Sequence, residues 1–410
     1  MTLSALQKAE KKHLLQTYDR YPAAFARGKG MYLYDEKGRA WLDFLSGIGV
    51  MALGYSHPAI TRAIREQAGR LVHVSNLFYT PFQSTLAREL TRASGLDRAF
   101  FCNSGTEAWE AALKLARAYA RAHGKPKRIR FLAMENSFHG RTMGAVATTA
   151  TAKYREPFAP VMPGVEFVKF NDAADLRRKF DDTVCAVCFE PVQGEGGIRP
   201  VTKEFFAEAR RLTKRSGALL LADEIQCGLG RTGKMFAFQH YGIKPDVMTL
   251  AKPIACGLPL GALLATEKAA AAFKPGMHGT TYGGGPLACS AALAFLGVLK
   301  REKMLPQIRS KGAYLLKRLR ALAVRYPAAA AEVRGLGLMA ALELKDPEAA
   351  KAVQKRLLER RVIINRTHET VLRFLPPYIV TLRQIDQLIA ALDGALAALP
   401  PAKEAPHARP

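Results

Sequence analysis

The sequence predicts an α/β protein whose functional residues lie at the ends of buried strands. Two apolar runs, residues 218–222 and 247–250, have strand length and stop at charged residues, Asp223 in one case and Lys252 just after the other. A third run, residues 99–102, leads directly into a stretch with helical spacing of apolar residues. Ligands of open α/β sheets bind beyond the carboxyl ends of the strands, so we expect a site at these two charges.

The composition limits the class of protein. A chain of 410 residues predicts two or three domains and buries roughly three quarters of its unfolded surface. The first residues lack the apolar core of a signal peptide, and no run approaches the ~20 apolar residues of a membrane span. We therefore expect a cytoplasmic protein with no membrane partner. Six cysteines in so long a chain do not suggest a disulfide framework. Cys185 and Cys188 fall in an apolar strand, where residues three apart face opposite sides, so no metal site is expected.

The strongly basic net charge of +26 is the most unusual feature of the composition. It first suggests nucleic-acid binding. The basic residues are dispersed, however, and no zinc finger, arginine-rich tract or aromatic RNA-binding signature accompanies them. We therefore expect solvated faces and no nucleic-acid partner, with attraction for anionic substrates or an acidic protein as the minority interpretation. A basic nucleic-acid-binding or scaffold protein on the same fold is the alternative from a different class.

Taken in order, the chain begins with a predicted helix and then short strand-like runs punctuated by Gly30. After the strand at residues 99–102, Ser104 and Glu107 have the spacing of a capping box, which explains them structurally. The functional interpretation adds that backbone N–H groups at Gly105 and Thr106, helped by the helix dipole, form a phosphate site.

Two further predicted strands, residues 129–134 and 184–189, also lead into polar loops. On structural grounds alone, Phe138 and His139 after the first are a core aromatic and a loop histidine, and a glycine-flanked acid such as Glu195 after the second is a turn former.

Six segments together carry a resemblance to a known family. They read NSGTEA at residues 103–108, FHGRT at 138–142, EPVQGEGG at 190–197, DEIQ at 223–226, GLGRTGKMFAFQHYG at 228–242 and PDVMTLAK at 245–252. The chain resembles the class III aminotransferases, in particular the acetylornithine and ornithine aminotransferase subgroup, from about residue 18 to about residue 381. The resemblance implies a fold-type I pyridoxal phosphate-dependent transferase: a large domain with a mostly parallel seven-stranded sheet and a smaller α+β domain.

The resemblance also implies the site residues. The cofactor-binding set is Gly105, Thr106, Phe138, Asp223, Glu224, Ile225, Gln226, Lys252 and Thr281. Lys252 is the lysine that binds pyridoxal phosphate and moves the proton, and Asp223 is the acid at the pyridine nitrogen. An ion pair at ~4 Å is worth on the order of 4 kcal/mol at an effective dielectric near 20, enough to keep that nitrogen protonated.

A second set is implied for the substrate. It comprises Arg141, Thr280, Glu195, Arg373 and Tyr18. Arg141 would bind the α-carboxylate, for which a planar guanidinium is suited. Glu195 would hold Arg373 while a neutral side chain occupies the site and release it for a dicarboxylate.

The family pattern further implies a homodimer with shared active sites, because Thr281 would bind the cofactor phosphate of the partner subunit. We expect an N-terminal segment (1–50) packed on the small domain, a large cofactor domain (51–294), a small domain (295–400) and a disordered tail (401–410).

The expected reaction moves the terminal amino group of N-acetylornithine to 2-oxoglutarate, as in arginine biosynthesis. Ile48, where ornithine enzymes tend to have an aromatic residue, favours an acylated donor. The alternatives are a carrier-protein-linked aminoadipate semialdehyde aminotransferase of lysine biosynthesis, with an acidic carrier protein as partner, or an ornithine, succinylornithine or 4-aminobutyrate aminotransferase. Three residues depart from the family pattern: Pro253 replaces a glycine after the lysine, and Trp109 and Gly285 replace asparagines. We expect Pro253 to stiffen the loop and Trp109 to affect only local helix contacts.

Overall fold

The computed structural model describes residues 2–400 as α-helices and β-strands around one large sheet. The predicted tail at residues 401–410 lies outside the described residues. The helices are α1 Leu3–His13, α2 Ser46–Gly49, α3 Pro58–Ala68, α4 Pro81–Ser94, α5 Gly105–Ala122, α6 Met143–Ala147, α7 Ala152–Arg155, α8 Ala173–Lys179, α9 Lys203–Ser216, α10 Glu267–Ala270, α11 Pro286–Arg301, α12 Met304–Arg325, α13 Pro347–Glu359 and α14 Leu382–Ala397.

Seventeen strands form four sheets within the described chain. They are β1 Phe25–Lys29, β2 Tyr32–Asp35, β3 Ala40–Asp43, β4 Arg98–Cys102, β5 Arg130–Met134, β6 Val165–Val168, β7 Val184–Phe189, β8 Val192–Gln193, β9 Arg199–Pro200, β10 Leu219–Asp223, β11 Val247–Leu250, β12 Gly261–Ala265, β13 Ala330–Leu336, β14 Met339–Leu344, β15 Val362–Ile363, β16 Asn365–Thr367 and β17 Val371–Phe374. Short 3₁₀ turns occupy Glu156–Phe158, Ala237–His240 and Lys252–Ala255.

The large sheet has seven strands in the order β4-β12-β11-β10-β7-β5-β6. β12 runs antiparallel to both of its neighbours, and the pairs from β11 to β6 are parallel. This confirms the predicted mostly parallel seven-stranded sheet. The parallel arrangement brings the carboxyl ends of β7, β10 and β11 to the same edge.

Helices cover both faces of this sheet, which explains why its central strands are apolar throughout. Every residue of β7, β10, β11 and β12 is buried. Leu220 and Met248 belong to the hydrophobic cluster on one face, whereas Leu221 and Val247 belong to the cluster on the other. Strands buried on both faces are read from sequence as continuous apolar runs.

The C-terminal part of the chain forms an antiparallel sheet, β13-β14-β17-β16, packed against α12 and α13. A second four-stranded sheet, β1-β2-β3-β15, joins the N-terminal strands to β15 from the C-terminal part. In it Leu42 pairs with Val362 in parallel register.

The structure shifts a few predicted element boundaries. β4 and β5 start at Arg98 and Arg130, one residue from the predicted positions, and β10 includes Asp223. The Ser104 side chain caps α5 by accepting from the Glu107 N–H, but the Glu107 carboxylate accepts from the Asn103 N–H instead of completing the predicted box. Among residues 2–400, no helix is long and apolar enough to cross a membrane.

Candidate active site

A cavity of about 430 Å³ lies at the carboxyl edge of the large sheet. Its lining includes Ser104, Gly105, Thr106, Phe138, His139, Arg141, Glu190, Asp223, Ile225, Gln226, Ala251 and Lys252. Asp223 and Lys252 therefore face the same space, as their positions at neighbouring strand ends predict.

The acid of this cavity is held from several directions. Oδ2 of Asp223 lies 2.7 Å from Nδ1 of His139, and both side chains are almost fully buried. Because the partner is a carboxylate, Nδ1 carries the proton and donates it. Oδ1 accepts from the Ile225 N–H at 3.0 Å, with the Thr249 hydroxyl at 3.3 Å. These contacts fix the carboxylate in one orientation.

The amine of the cavity comes from a strained position. Lys252 follows β11 and has φ +36°, in the left-handed region that a non-glycine residue rarely adopts. Pro253 disfavours the right-handed helical region for the residue before it, so the backbone takes this alternative and continues into the short 3₁₀ turn. Such strain, of order 1–3 kcal/mol, typically persists at functional sites.

The Lys252 amine makes no hydrogen bond or ion pair within residues 2–400. Burial lowers the pKa of Lys252, and the nearby charges of Glu195 and Asp223 oppose that shift. A larger fraction of Lys252 is therefore in the neutral amine form than of a surface lysine at the same pH.

The N-terminus of α5 forms another wall. The 18-residue helix points its first N–H groups, at Gly105 and Thr106, into the cavity. A Cβ on Gly105 would lie 2.8 Å from the Ile225 side chain, so glycine is required for this approach. A helix N-terminus with free N–H groups attracts phosphate.

An ion pair between Glu195 and Arg373 lies beside the acid and the amine. Oε1 of Glu195 is 2.5 Å from Nη1 of Arg373. The same Nη1 donates to Oε1 of Gln226 at 3.1 Å, and Nε donates to Asn365. Although burial alone would raise the pKa of Glu195, Arg373 holds that pKa below its ordinary value.

A second buried carboxylate, Glu190, connects two parts of the lining. Its Oε1 accepts from the Phe138 N–H at 3.1 Å and its Oε2 from the Gly194 N–H at 2.9 Å. Burial, with the charge of Asp223 as the next cause, raises the pKa of Glu190 to about 8.

Arg141 lies at the open side of the cavity and is exposed. Its guanidinium carbon lies 3.7 Å from the centre of the Tyr154 ring and 5.7 Å from that of Phe138. Tyr154 in turn meets Phe138 edge-on. Phe138 and Arg141 thus both line the cavity, as expected from the sequence.

Six of the expected site residues do not line this cavity. Glu195 and Arg373 form the ion pair described above, and the other four lie elsewhere. The Glu224 carboxylate accepts from the N–H groups of Ala237 and Phe238 at 2.6 and 2.7 Å, so it fixes the following turn and does not line the cavity. Thr281 lines a separate recess. The Thr280 hydroxyl accepts from the Asn103 side chain, next to the phosphate loop. Tyr18 is 73% exposed, beside Arg20. The structure gives these positions, and the roles expected for all of the site residues stay predictions.

Sequence reasoning missed three residues: Glu190 and His139, which line the cavity, and Trp109, which packs against His139. Glu190 received no role, His139 was interpreted as a loop residue, and Trp109 was expected to matter only within its helix. Instead, the Trp109 indole stacks on the His139 ring at 4.0 Å between centroids and 9° between planes. The available signal was position: His139 stands between Phe138 and Arg141, and Glu190 directly follows a buried strand.

Comparison with known proteins shows the family. The family model described as "Aminotransferase class-III" matches residues 15–396. The chain belongs to the class III aminotransferases. An acetylornithine aminotransferase of Methanocaldococcus jannaschii is 47% identical over 384 residues, 94% of this chain and 96% of that protein.

Two solved aminotransferase structures share the fold. The ornithine aminotransferase from Toxoplasma gondii ME49 has a TM-score of 0.93 at 31% identity, covering 97% of this chain and 96% of that one. An amine transaminase from an uncultivated Pseudomonas species in its PLP-bound form has a TM-score of 0.88 at 30% identity, covering 92% and 95%.

Class III aminotransferases depend on pyridoxal phosphate, and this member's cavity fits that group. Its volume lies within the range of small-ligand sites, roughly 300–1,000 Å³. The α5 N-terminus suits the phosphate, Phe138 offers a ring face, and Asp223 offers an acid for the pyridine nitrogen. This class III member is a pyridoxal phosphate-dependent aminotransferase acting on small molecules.

Proposed function

We propose that the enzyme transfers the terminal amino group of N-acetylornithine to 2-oxoglutarate, giving N-acetylglutamate semialdehyde and glutamate in arginine biosynthesis. The observation that carries this proposal is the placement of Asp223, Lys252 and the α5 N-terminus around one cavity. We infer the identity of the amino donor from the relatives named acetylornithine aminotransferase.

The residues around the cavity have distinct roles in this proposal. Bound pyridoxal phosphate supplies a carbonyl carbon that amines attack and a ring that withdraws electrons. Gly105 and Thr106 hold the phosphate through their N–H groups, and Phe138 covers the ring face. Asp223, a buried carboxylate in the lining, would hold a proton at the pyridine nitrogen.

Lys252 binds the cofactor covalently and then moves a proton. Burial lowers the pKa of Lys252, so its amine gives up a proton more readily than a surface lysine and serves as nucleophile and base. Nζ of Lys252 would then be the group that accepts a proton from the substrate carbon. Gln226, next to Arg373, would bind the phenolic oxygen.

The Glu195–Arg373 pair adapts the site to two substrates. With the pair closed, the site presents little net charge to the neutral acylated side chain of the donor. When 2-oxoglutarate enters, Arg373 binds its distal carboxylate after Glu195 moves away. Arg141 binds the carboxylate common to both substrates, and Thr280 and Tyr18 complete the substrate set.

The choice of donor rests on two observations. The curated relatives named acetylornithine aminotransferase are 40–47% identical to this chain over 93% or more of its length. Ile48 places an aliphatic side chain, 38% exposed, at a position where ornithine enzymes tend to have an aromatic one.

A homodimer with shared sites forms part of the proposal. The recess that contains Thr281 is bordered by Phe78 and Tyr282, and exposed apolar side chains cluster around it. The fractional exposures are Leu77 87%, Phe78 65%, Tyr79 106% and Tyr282 69%. A second copy would cover this apolar patch and receive Thr281 at its cofactor phosphate.

We place the enzyme in the cytoplasm, which six unpaired cysteines support. For its domains we keep the boundaries 1–50, 51–294 and 295–400. The large sheet falls between Arg98 and Ala265, and β13, β14, β16 and β17 form the small antiparallel sheet.

Donor competition tests the substrate. Acetylornithine, ornithine, succinylornithine and 4-aminobutyrate are supplied at equal concentration with 2-oxoglutarate, and kcat/KM is measured for each. We expect acetylornithine to lead. A preference for 4-aminobutyrate or free ornithine would reject the proposed donor, and activity only on a protein-bound donor would favour the carrier-protein alternative.

Replacement of the lysine tests the chemistry. Lys252→Ala should abolish transamination and leave no cofactor fixed to the protein by borohydride, because no amine remains to bind it. The matched control is Lys311→Ala, which removes another partly buried lysine with a lowered pKa away from the cavity. A Lys252→Ala enzyme with wild-type turnover would refute the assignment.

A further inference from the structure

Trp109 lies behind the acid of the active site and does not line the cavity. It is fully buried in α5. Its indole ring lies parallel to the imidazole of His139, at 4.0 Å between centroids. His139 in turn donates from Nδ1 to Oδ2 of Asp223 at 2.7 Å. Three side chains thus form a row that ends at the cavity.

The hydrogen bond alone does not fix the plane of the imidazole. Rotation about the terminal torsion of histidine is broad and nearly two-fold, so the ring can turn or exchange its two nitrogens. Within residues 2–400, Nε2 of His139 is buried without a hydrogen-bond partner. The described chain therefore offers no second hydrogen bond that would restrain the imidazole ring. The stacked indole of Trp109 provides this restraint instead.

The indole is itself fixed. Its Nε1–H donates to Oγ1 of Thr148 at 2.9 Å, and that hydroxyl lies within hydrogen-bond distance of carbonyl oxygens in α6. The His139 backbone N–H donates to Thr149 at 3.0 Å, one residue further along. The indole and the imidazole are thus anchored to the same short segment.

We propose that Trp109 is a positioning residue for transamination: its stacked indole holds His139 in the orientation and tautomer that donate to Asp223, and thereby directs that carboxylate at the cofactor. This inference rests on the proposed function, because it assigns Asp223 to the pyridine nitrogen. Burial of the pair excludes water, so its hydrogen bond is stronger than in solvent, and misalignment weakens the charge that the ring nitrogen meets.

The test uses full-length protein with and without pyridoxal phosphate. The variants are Trp109→Phe, which keeps a ring face, and Trp109→Leu, which removes it. Tyr119→Leu is the matched control. It removes a buried aromatic from the same helix, whose ring contacts a different histidine, His123, at 4.1 Å between centroids and with the planes tilted by 38°.

The first measurement is the imidazole N–H proton signal of His139 in ¹⁵N-histidine-labelled protein, assigned by its loss in His139→Asn. We expect wild type, Trp109→Phe and Tyr119→Leu to keep the signal and Trp109→Leu to lose it through exchange with water. This readout does not require a working enzyme.

The second measurement is steady-state kinetics. Trp109→Leu should lower kcat roughly tenfold or more, the range expected for a misaligned hydrogen bond to a charged group. The KM of the amino donor should stay within about twofold, since the substrate contacts are intact. Trp109→Phe should restore kcat, and Trp109→Leu should add no further loss in a His139→Asn background.

Two outcomes would overturn the inference. One is a Trp109→Leu protein that melts at lower temperature but keeps the His139 signal and kcat, which would make Trp109 a core residue only. The other is an equal loss of kcat with and without His139. A wild-type protein that neither binds pyridoxal phosphate nor transaminates would instead refute the proposed function, whatever the imidazole signal shows.

Discussion

Two hydrogen-bonded pairs of the active site have nearly the same donor–acceptor distance and different surroundings. Asp223 and His139 lie 2.7 Å apart with side chains 3% and 0% exposed, whereas Glu195 and Arg373 lie 2.5 Å apart with side chains 30% and 0% exposed. The Asp223 carboxylate has further contacts on its other oxygen. Besides Arg373, the carboxylate of Glu195 has the Thr367 hydroxyl, at 3.4 Å, and the Gln226 side chain as neighbours.

The difference shows that surroundings and not distance distinguish a fixed charge from an exchangeable one. The Asp223 pair cannot open without leaving buried polar groups unpaired. Glu195 can turn toward water while Arg373 keeps Gln226 and Asn365 as partners. We therefore expect the first pair to act identically in both half-reactions and the second to act differently in each.

The largest expected effect comes from neutralising the fixed pair. Asp223→Asn removes the charge that holds a proton at the ring nitrogen, and an interaction of ~4 kcal/mol corresponds to a loss of roughly a thousandfold in kcat. Both half-reactions should lose the same factor in single-turnover measurements. A loss confined to one half-reaction would contradict the distinction between the pairs.

A smaller effect is expected at the exchangeable pair. Glu195→Gln removes the competitor for Arg373, so 2-oxoglutarate no longer has to break an ion pair. We expect the ratio of kcat/KM for 2-oxoglutarate to that for the amino donor to rise about tenfold, because a charged hydrogen bond contributes roughly 1.5–3 kcal/mol. Glu195→Asp, which keeps the carboxylate, is the control. An unchanged ratio would mean that the pair does not open.

A further effect concerns stability instead of catalysis and falls on Glu190, whose carboxylate lies near the charges of Asp223 and Glu195. Burial raises the pKa of this carboxyl group to about 8 from its ordinary value of 4.5. The folded protein therefore holds this proton where the unfolded chain has lost it, so the stabilisation is complete below pH 4.5 and is lost as the pH rises through about 8. The free energy of unfolding should fall with a slope of up to about 1.4 kcal/mol per pH unit in this window.

Glu190→Gln should remove the Glu190 share of that slope in chemical denaturation at pH 5 to 9, while Glu224 keeps its own. The amide should also lower the whole curve by about 1 kcal/mol, since its nitrogen cannot accept from the Gly194 or Phe138 N–H. Glu224→Gln is the comparison variant for this measurement. Burial also raises the pKa of Glu224 to about 8, but the Glu224 carboxylate contacts a different turn. An unaltered slope in Glu190→Gln would contradict the assignment.

The sheet was predictable from sequence because its strands are buried on both faces. The apolar runs that became β7, β10 and β11 needed no partner to be recognised. The antiparallel insertion of β12 was not predicted, since pairing partners leave no mark in a single strand. The family resemblance, not the residue pattern, gave the number of strands.

The residues of the cavity could be predicted from sequence where a charged residue ends or follows a buried strand. Asp223 and Lys252 are such cases, and they do face one space. Glu224 was assigned because the DEIQ segment resembles the family. Its carboxylate accepts from the backbone N–H of Ala237 and does not line the cavity, and its role stays a prediction. The stacking of Trp109 on His139 joins two distant segments, so neither segment alone could indicate it.

The pairing of β3 with β15 has a consequence for how the polypeptide matures. Leu42 and Val362 come from opposite ends of the chain, so a ribosome exposes β3 long before its neighbour exists. Until then the edge of β3 offers unpaired N–H and C=O groups, which invite pairing with other molecules. Contacts this far apart in sequence also slow folding. We therefore expect nascent or truncated chains that lack β15 to aggregate through this edge.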